Sequence, residues 1–80
     1  MRINGAALKR IRELAGHTQM SLAAATGGVV NQGRISELEA GDRARDGAPL
    51  NVRPATAKAL AEALQTPLVA LTVPESDTAA

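Results

Sequence analysis

The sequence predicts a single small all-α domain, a bundle of about five short helices. Three observations lead there. Capping residues and glycines divide the 80-residue chain into short segments. Within those segments, apolar residues recur at helical spacing. The apolar set is entirely aliphatic, since Phe, Trp, Tyr and Cys are all absent. The core must therefore be Leu, Ile, Val, Ala and Met, without a disulfide or a zinc-thiolate site to brace it.

The first helix opens at Asn4, a good N-cap, with Ile3 placed to staple onto Leu8. Leu8, Ile11, Leu14 and Ala15 follow at helical spacing, and Gly16 ends the helix at the C′ position. Thr18 caps a second helix of about two turns, with Leu22, Ala23 and Ala25 or Thr26 on its inner face. A helix that short needs a neighbour to dock on. Gly27-Gly28 stops it.

Asn31 caps the third helix, and Val30 and Ile35 repeat the staple of the first. Ile35 and Leu38 form a narrow apolar stripe, closed by Gly41. Gly33, in the first turn, costs about 1 kcal/mol relative to Ala, and close approach of a ligand to the backbone is one reason to keep it. Residues 42–53 read as a loop with turn signals at Asp46-Gly47 and Pro49. Leu50 and Val52 can pin it to the core. Pro54 opens a fourth helix at N1, with Ala57, Leu60, Ala61 and Leu64 facing inward. Thr66 and Pro67 are expected to cap and open a last short helix through Leu71, ended by Pro74. This places the folded domain at residues 1–73 and a frayed tail at 74–80.

The net charge of +1 conceals a polarity. All nine basic residues lie at or before Lys58, beside five acids, for a net of +4; only three acids follow. Seven of the nine are Arg, which suits bidentate contact with phosphate or guanine better than Lys does. The missing aromatic residues exclude stacking on single-stranded bases. No apolar run approaches the roughly 18 residues of a membrane span, and the start of the chain lacks the apolar stretch of a signal peptide. A cytoplasmic chain without membrane contact is expected. His17 alone builds neither a metal site nor a catalytic one, so no metal, cofactor, small-molecule ligand or enzymatic activity is expected.

Two short helices joined by a glycine turn form a helix-turn-helix candidate. LKRIRELAGHTQMSLAAATG (Leu8–Gly27) resembles the start of the phage Cro/repressor, or Xre-type, helix-turn-helix family. RISELEAG (Arg34–Gly41) and LAEALQTPLVAL (Leu60–Leu71) are similar to two further stretches of that family, in the same order. The likeness spans about residues 6–72. The turn Gly28-Val29-Val30 is longer than the family pattern, so the third helix is aligned from its cap, Asn31.

The resemblance implies a lambda-repressor-like bundle and a sequence-specific regulator of transcription that binds double-stranded DNA. A Cro-like protein or a small immunity repressor of a phage or prophage fits that description. The third helix would read the major groove of an operator. Gln19 matches the glutamine that bonds a phosphate and braces the first reader. Gln32, Gly33 and Glu37 match positions that face base edges. Arg12 and Glu39 match a pair bridging helix one to helix three. Arg43, Arg45 and Arg53 lie in the loop where the family touches phosphates, and the capping residues Thr18 and Asn31 join them as expected phosphate contacts.

A helical wheel agrees independently. Gly33, Ser36, Glu37 and Ala40 cluster opposite Ile35 and Leu38, with Gln32 and Arg34 on the flanks. Gln pairs bidentately with adenine, Glu accepts from the cytosine amino group, and Arg34 can reach guanine or phosphate. A homodimer, at least on DNA, is expected through the apolar Pro67–Leu71 segment, because one small module gives limited affinity. The alternative is an antitoxin or protein-interaction module that autoregulates its operon.

Overall fold

The computed structural model describes residues 1–73 of the chain, and the tail expected at 74–80 lies outside the described residues. Four α-helices hold about half of these residues: α1 (Gly5–Leu14), α2 (Gln19–Ala25), α3 (Gln32–Ala40) and α4 (Pro54–Ala63). Three two-residue strands, β1 (Arg2–Ile3), β2 (Leu50–Asn51) and β3 (Thr72–Val73), form a small antiparallel sheet in the order β2-β1-β3.

Each of the first three helices begins where a side chain satisfies an orphan backbone donor. Asn4 accepts from the Ala7 N–H at 3.1 Å. The Thr18 hydroxyl accepts from Ser21 N–H while the Ser21 hydroxyl accepts from Thr18 N–H, a reciprocal capping box. Asn31 accepts from Arg34 N–H at 2.8 Å. Helix α1 ends in a Schellman motif, with Gly16 N–H bonded to the Glu13 carbonyl and His17 N–H to that of Arg12. Between α2 and α3 the long turn carries Gly27 and Gly28 at φ 72° and 87°, which Cβ-bearing residues rarely adopt. The Thr26 hydroxyl organises it, lying 2.7 Å from the Ala23 carbonyl and accepting from Val30 N–H at 3.2 Å.

The core gathers Ile3, Leu8, Leu22, Val30, Ile35, Leu38, Ala57, Leu60, Ala61, Leu64 and Leu71, all buried. Both staple pairs, Ile3 with Leu8 and Val30 with Ile35, lie inside it. Gly5 permits a close approach between helices: a Cβ there would collide with the carbonyl oxygens of Leu38 and Glu39, so the start of α1 rests directly on the backbone of the last turn of α3.

Three expectations are corrected. The fifth helix is a single 3₁₀ turn, Leu68–Ala70, after Pro67, and Thr66 does not cap it. Thr66 is occupied in ending α4: Gln65 takes the left-handed conformation, and Thr66 N–H bonds to the Ala61 carbonyl at 3.0 Å. The loop over 42–53 is more ordered than a plain connection. It holds a 3₁₀ turn, Arg43–Arg45, an isolated bridge between Asp42 and Ala48, and strand β2. The domain is thus helical with a small sheet, in which Arg2–Ile3 at the start of the chain is flanked by Leu50–Asn51 on one side and Thr72–Val73 on the other. Finally, Leu14 is 79% exposed. The inner face of α1 runs through Leu8 to Arg12 one turn later, and position 14 lies on the far side of the helix.

Candidate nucleic-acid interface

Helix α2, the glycine turn and α3 leave one side of α3 uncovered. Ile35 and Leu38 are buried, whereas Gln32, Gly33 and Glu37 are exposed and Ser36 is half-buried. An open groove beside α3 is lined by Asn31, Gly33, Arg34 and Glu37, with Thr56 from the first turn of α4 on its far wall. A Cβ at Gly33 would meet nothing nearer than the Asn31 side-chain oxygen at 3.6 Å. No packing among the described residues demands this glycine, and the groove is open to a partner's close approach there.

Behind the exposed face runs a chain of polar side chains. The Arg12 guanidinium donates from Nε to Glu39 Oε2 at 2.6 Å and from Nη2 to Oε1 at 3.1 Å. Its third group, Nη1, donates to the His17 carbonyl at 2.8 Å. Both side chains of the pair are buried, at 9% and 5% exposure. Hydrogen bonding to Glu39 raises the Arg12 pKa above its ordinary value and outweighs the lowering caused by burial. The bridge thus ties α1, the turn before α2, and α3 together with its lone pairs and protons largely used, the condition for a buried ion pair to hold.

From Glu39 the chain continues outward. Gln19 Nε2 donates to Glu39 Oε1 at 3.0 Å, and Gln32 Nε2 donates to Gln19 Oε1 at 2.8 Å. With Gln19 Oε1 accepting from Gln32, the orientations of both amides are set. The exposed Gln32 at the start of α3 is therefore braced from the buried centre by way of α2.

Arg34 sits at the opposite edge of α3. It donates from Nη1 to Glu37 Oε1 and from Nη2 to the Asn51 carbonyl, each at 3.3 Å. The cap residues Thr18 and Asn31 are exposed at the starts of α2 and α3. Asn31 keeps its NH₂ group as a donor after its oxygen is spent on the cap. Arg43, Arg45 and Arg53 are exposed along the loop after α3. Asp42 orders that turn by accepting from Ala44 N–H at 3.0 Å, and lies 3.8 Å from Arg45 Nε.

The structure brings Arg12, Glu39, Gln19 and Gln32 into one network and Arg34 and Glu37 into another. Arg43, Arg45 and Arg53 stand apart from both. Asn51 and Thr56 are further members of the site that come from segments distant in sequence, Asn51 through its carbonyl to Arg34 and Thr56 as a wall of the groove. A threonine in the first turn after Pro54 was the only local signal for Thr56, and Asn51 gave none. Among the described residues no group of His, Cys, Asp and Glu is placed to hold a metal ion, and no helix is long and apolar enough to cross a membrane.

A family model described as a helix-turn-helix domain matches residues 5–72, from the first residue of α1 into β3. Searches of curated proteins and of solved structures returned no match.

Proposed function

The chain belongs to the helix-turn-helix domain family, a DNA-binding family, and from that premise we propose that it is a sequence-specific transcriptional regulator of the Cro or small immunity-repressor kind. Helix α3 enters the major groove of an operator. Gln32 pairs with adenine, Glu37 accepts from a cytosine amino group, Ser36 adds a hydroxyl, and Gly33 lets the base edges come close to the helix backbone. Thr18, Gln19, Asn31, Arg43, Arg45 and Arg53 contact phosphates on either side and fix the register. The protein binds as a homodimer through the Pro67–Leu71 segment by way of Val69, which is 76% exposed, while Leu71 is spent on the core.

The observation that carries this reading is the brace from Glu39 through Gln19 to Gln32. An exposed amide whose rotamer is fixed from behind loses little further freedom on pairing with a base. The test is selection of bound sites from random duplex DNA. A palindromic consensus with two half-sites one helical turn apart is the expected result. Absence of any enriched sequence would sink the proposal, and copurification with a tight protein partner would replace it with the antitoxin reading.

A further inference from the structure

Arg34 is the only basic residue of α3, and its guanidinium is not free to extend away from the helix. One nitrogen is bonded to the Glu37 carboxylate and another to the carbonyl of Asn51 in β2. Its side chain is 39% exposed, against 80% for Arg45 in the following turn.

The Asn51 carbonyl is available for a structural reason. Met1 and Val52 exchange both backbone hydrogen bonds, at 3.1 and 2.7 Å. The next pair along, Arg2 opposite Asn51, is therefore of the non-hydrogen-bonded kind, and the Asn51 carbonyl points away from β1. With β2 at the edge of the sheet, that oxygen meets Arg34 instead of another strand.

Glu37, by contrast, has a 65% exposed side chain, and among the described residues its one side-chain partner is Arg34. A flexible carboxylate brought into a groove walled by phosphates is repelled, and it reads a base only if its rotamer is held. A planar guanidinium anchored at one end and bonded to the carboxylate at the other meets both needs.

We propose that Arg34 is a positioning residue that orients the Glu37 carboxylate for base recognition and takes its own bearing from the Asn51 carbonyl of β2. This rests on the DNA-reading role proposed for α3. Specificity at the base pair read by Glu37 then depends on a strand outside the helix-turn-helix itself.

The decisive variant is Arg34→Lys, which keeps the charge but cannot span two acceptors with a planar fork. Wild type, Arg34→Lys, Glu37→Ala and the double variant are titrated with the selected operator and with each of its single-base variants. The base pair at which Glu37→Ala loses its preference is the one Glu37 reads. Arg34→Lys should lower the preference at that same pair about tenfold and have no further effect once Glu37 is Ala. In the free protein, NMR should show hindered rotation of the Arg34 guanidinium, released by Glu37→Gln.

Equal weakening of every duplex by Arg34→Lys would make Arg34 a phosphate ligand and overturn the proposal. Loss of preference at a different base pair would overturn it too, by making Arg34 a reader. A freely rotating guanidinium in the wild type would do the same. A wild type with no sequence preference would instead overturn the DNA-reading role, while the guanidinium signal still judges the clamp by itself.

Discussion

Helix α3 carries one glutamate turned into the molecule and one turned out, each bound by an arginine. Glu39 meets Arg12 across the seam with α1, with two short bonds and almost no solvent around either side chain. Glu37 meets Arg34 three residues back on its own helix, through one 3.3 Å bond, with both side chains partly in water. The chemistry is shared and the surroundings are not. In the seam, each charge has been taken out of water, so each relies on the other. On the surface, water replaces most of what the pair supplies, so the contact contributes little to folding and can act on orientation instead.

The difference between the two pairs should show first in stability. Arg12→Ala or Glu39→Ala should each cost about 3–5 kcal/mol, because each strands a buried charge. Denaturant melts of the two single variants and the double variant give the coupling energy. A value near zero would mean that the seam pair is as solvated as the surface pair.

Gly5→Ala probes the same seam by sterics alone. The added methyl meets backbone carbonyl groups of Leu38 and Glu39, which cannot swing aside as a flexible side chain would, so α1 must move, at a cost of about 1–3 kcal/mol. A melting curve superimposable on the wild type would show that the seam yields, and that Arg12 and Glu39 are not held by close backbone packing.

On the outer face, the prediction concerns binding rather than folding. Glu37→Arg replaces an acceptor with a donor fork. It should lose about 1–3 kcal/mol on the native site and recover affinity on a variant carrying guanine at one position per half-site. If it instead tightens binding to all duplexes alike, residue 37 faces phosphate or solvent. The smallest effect is expected from a stability cycle on Arg34 and Glu37, with a coupling of about 0.2–0.5 kcal/mol. A coupling as large as that of the seam pair would erase the distinction between the two faces.

The same contrast explains what could be read without a structure. Asn4, Thr18 and Asn31 act within three residues of themselves, so their caps were legible. The buried stripe of Ile35 and Leu38 was legible because one helical period reveals it. Leu14 misled because an apolar side chain near a helix end fits a spacing pattern without being covered. The strands were invisible, since two residues are too few for an alternating pattern. Gly5, Asn51 and Thr56 matter through segments far away in sequence. The Thr66-Pro67 pair looked like a helix start, and only the left-handed Gln65 reveals that Thr66 belongs to the end of α4.

The central position of β1 bears on the order of folding. Arg2 lies opposite both Asn51 and Val73, so nearly the whole described chain separates the last-closing partners. The helices meet through shorter loops, and loop-closure entropy favours those contacts first. The sheet then acts as a kinetic latch, fastened after the helices have assembled. Ile3→Ala should in that case chiefly speed unfolding and leave the refolding rate nearly unchanged in a stopped-flow chevron. A matching drop in the refolding rate would place the latch in the folding nucleus.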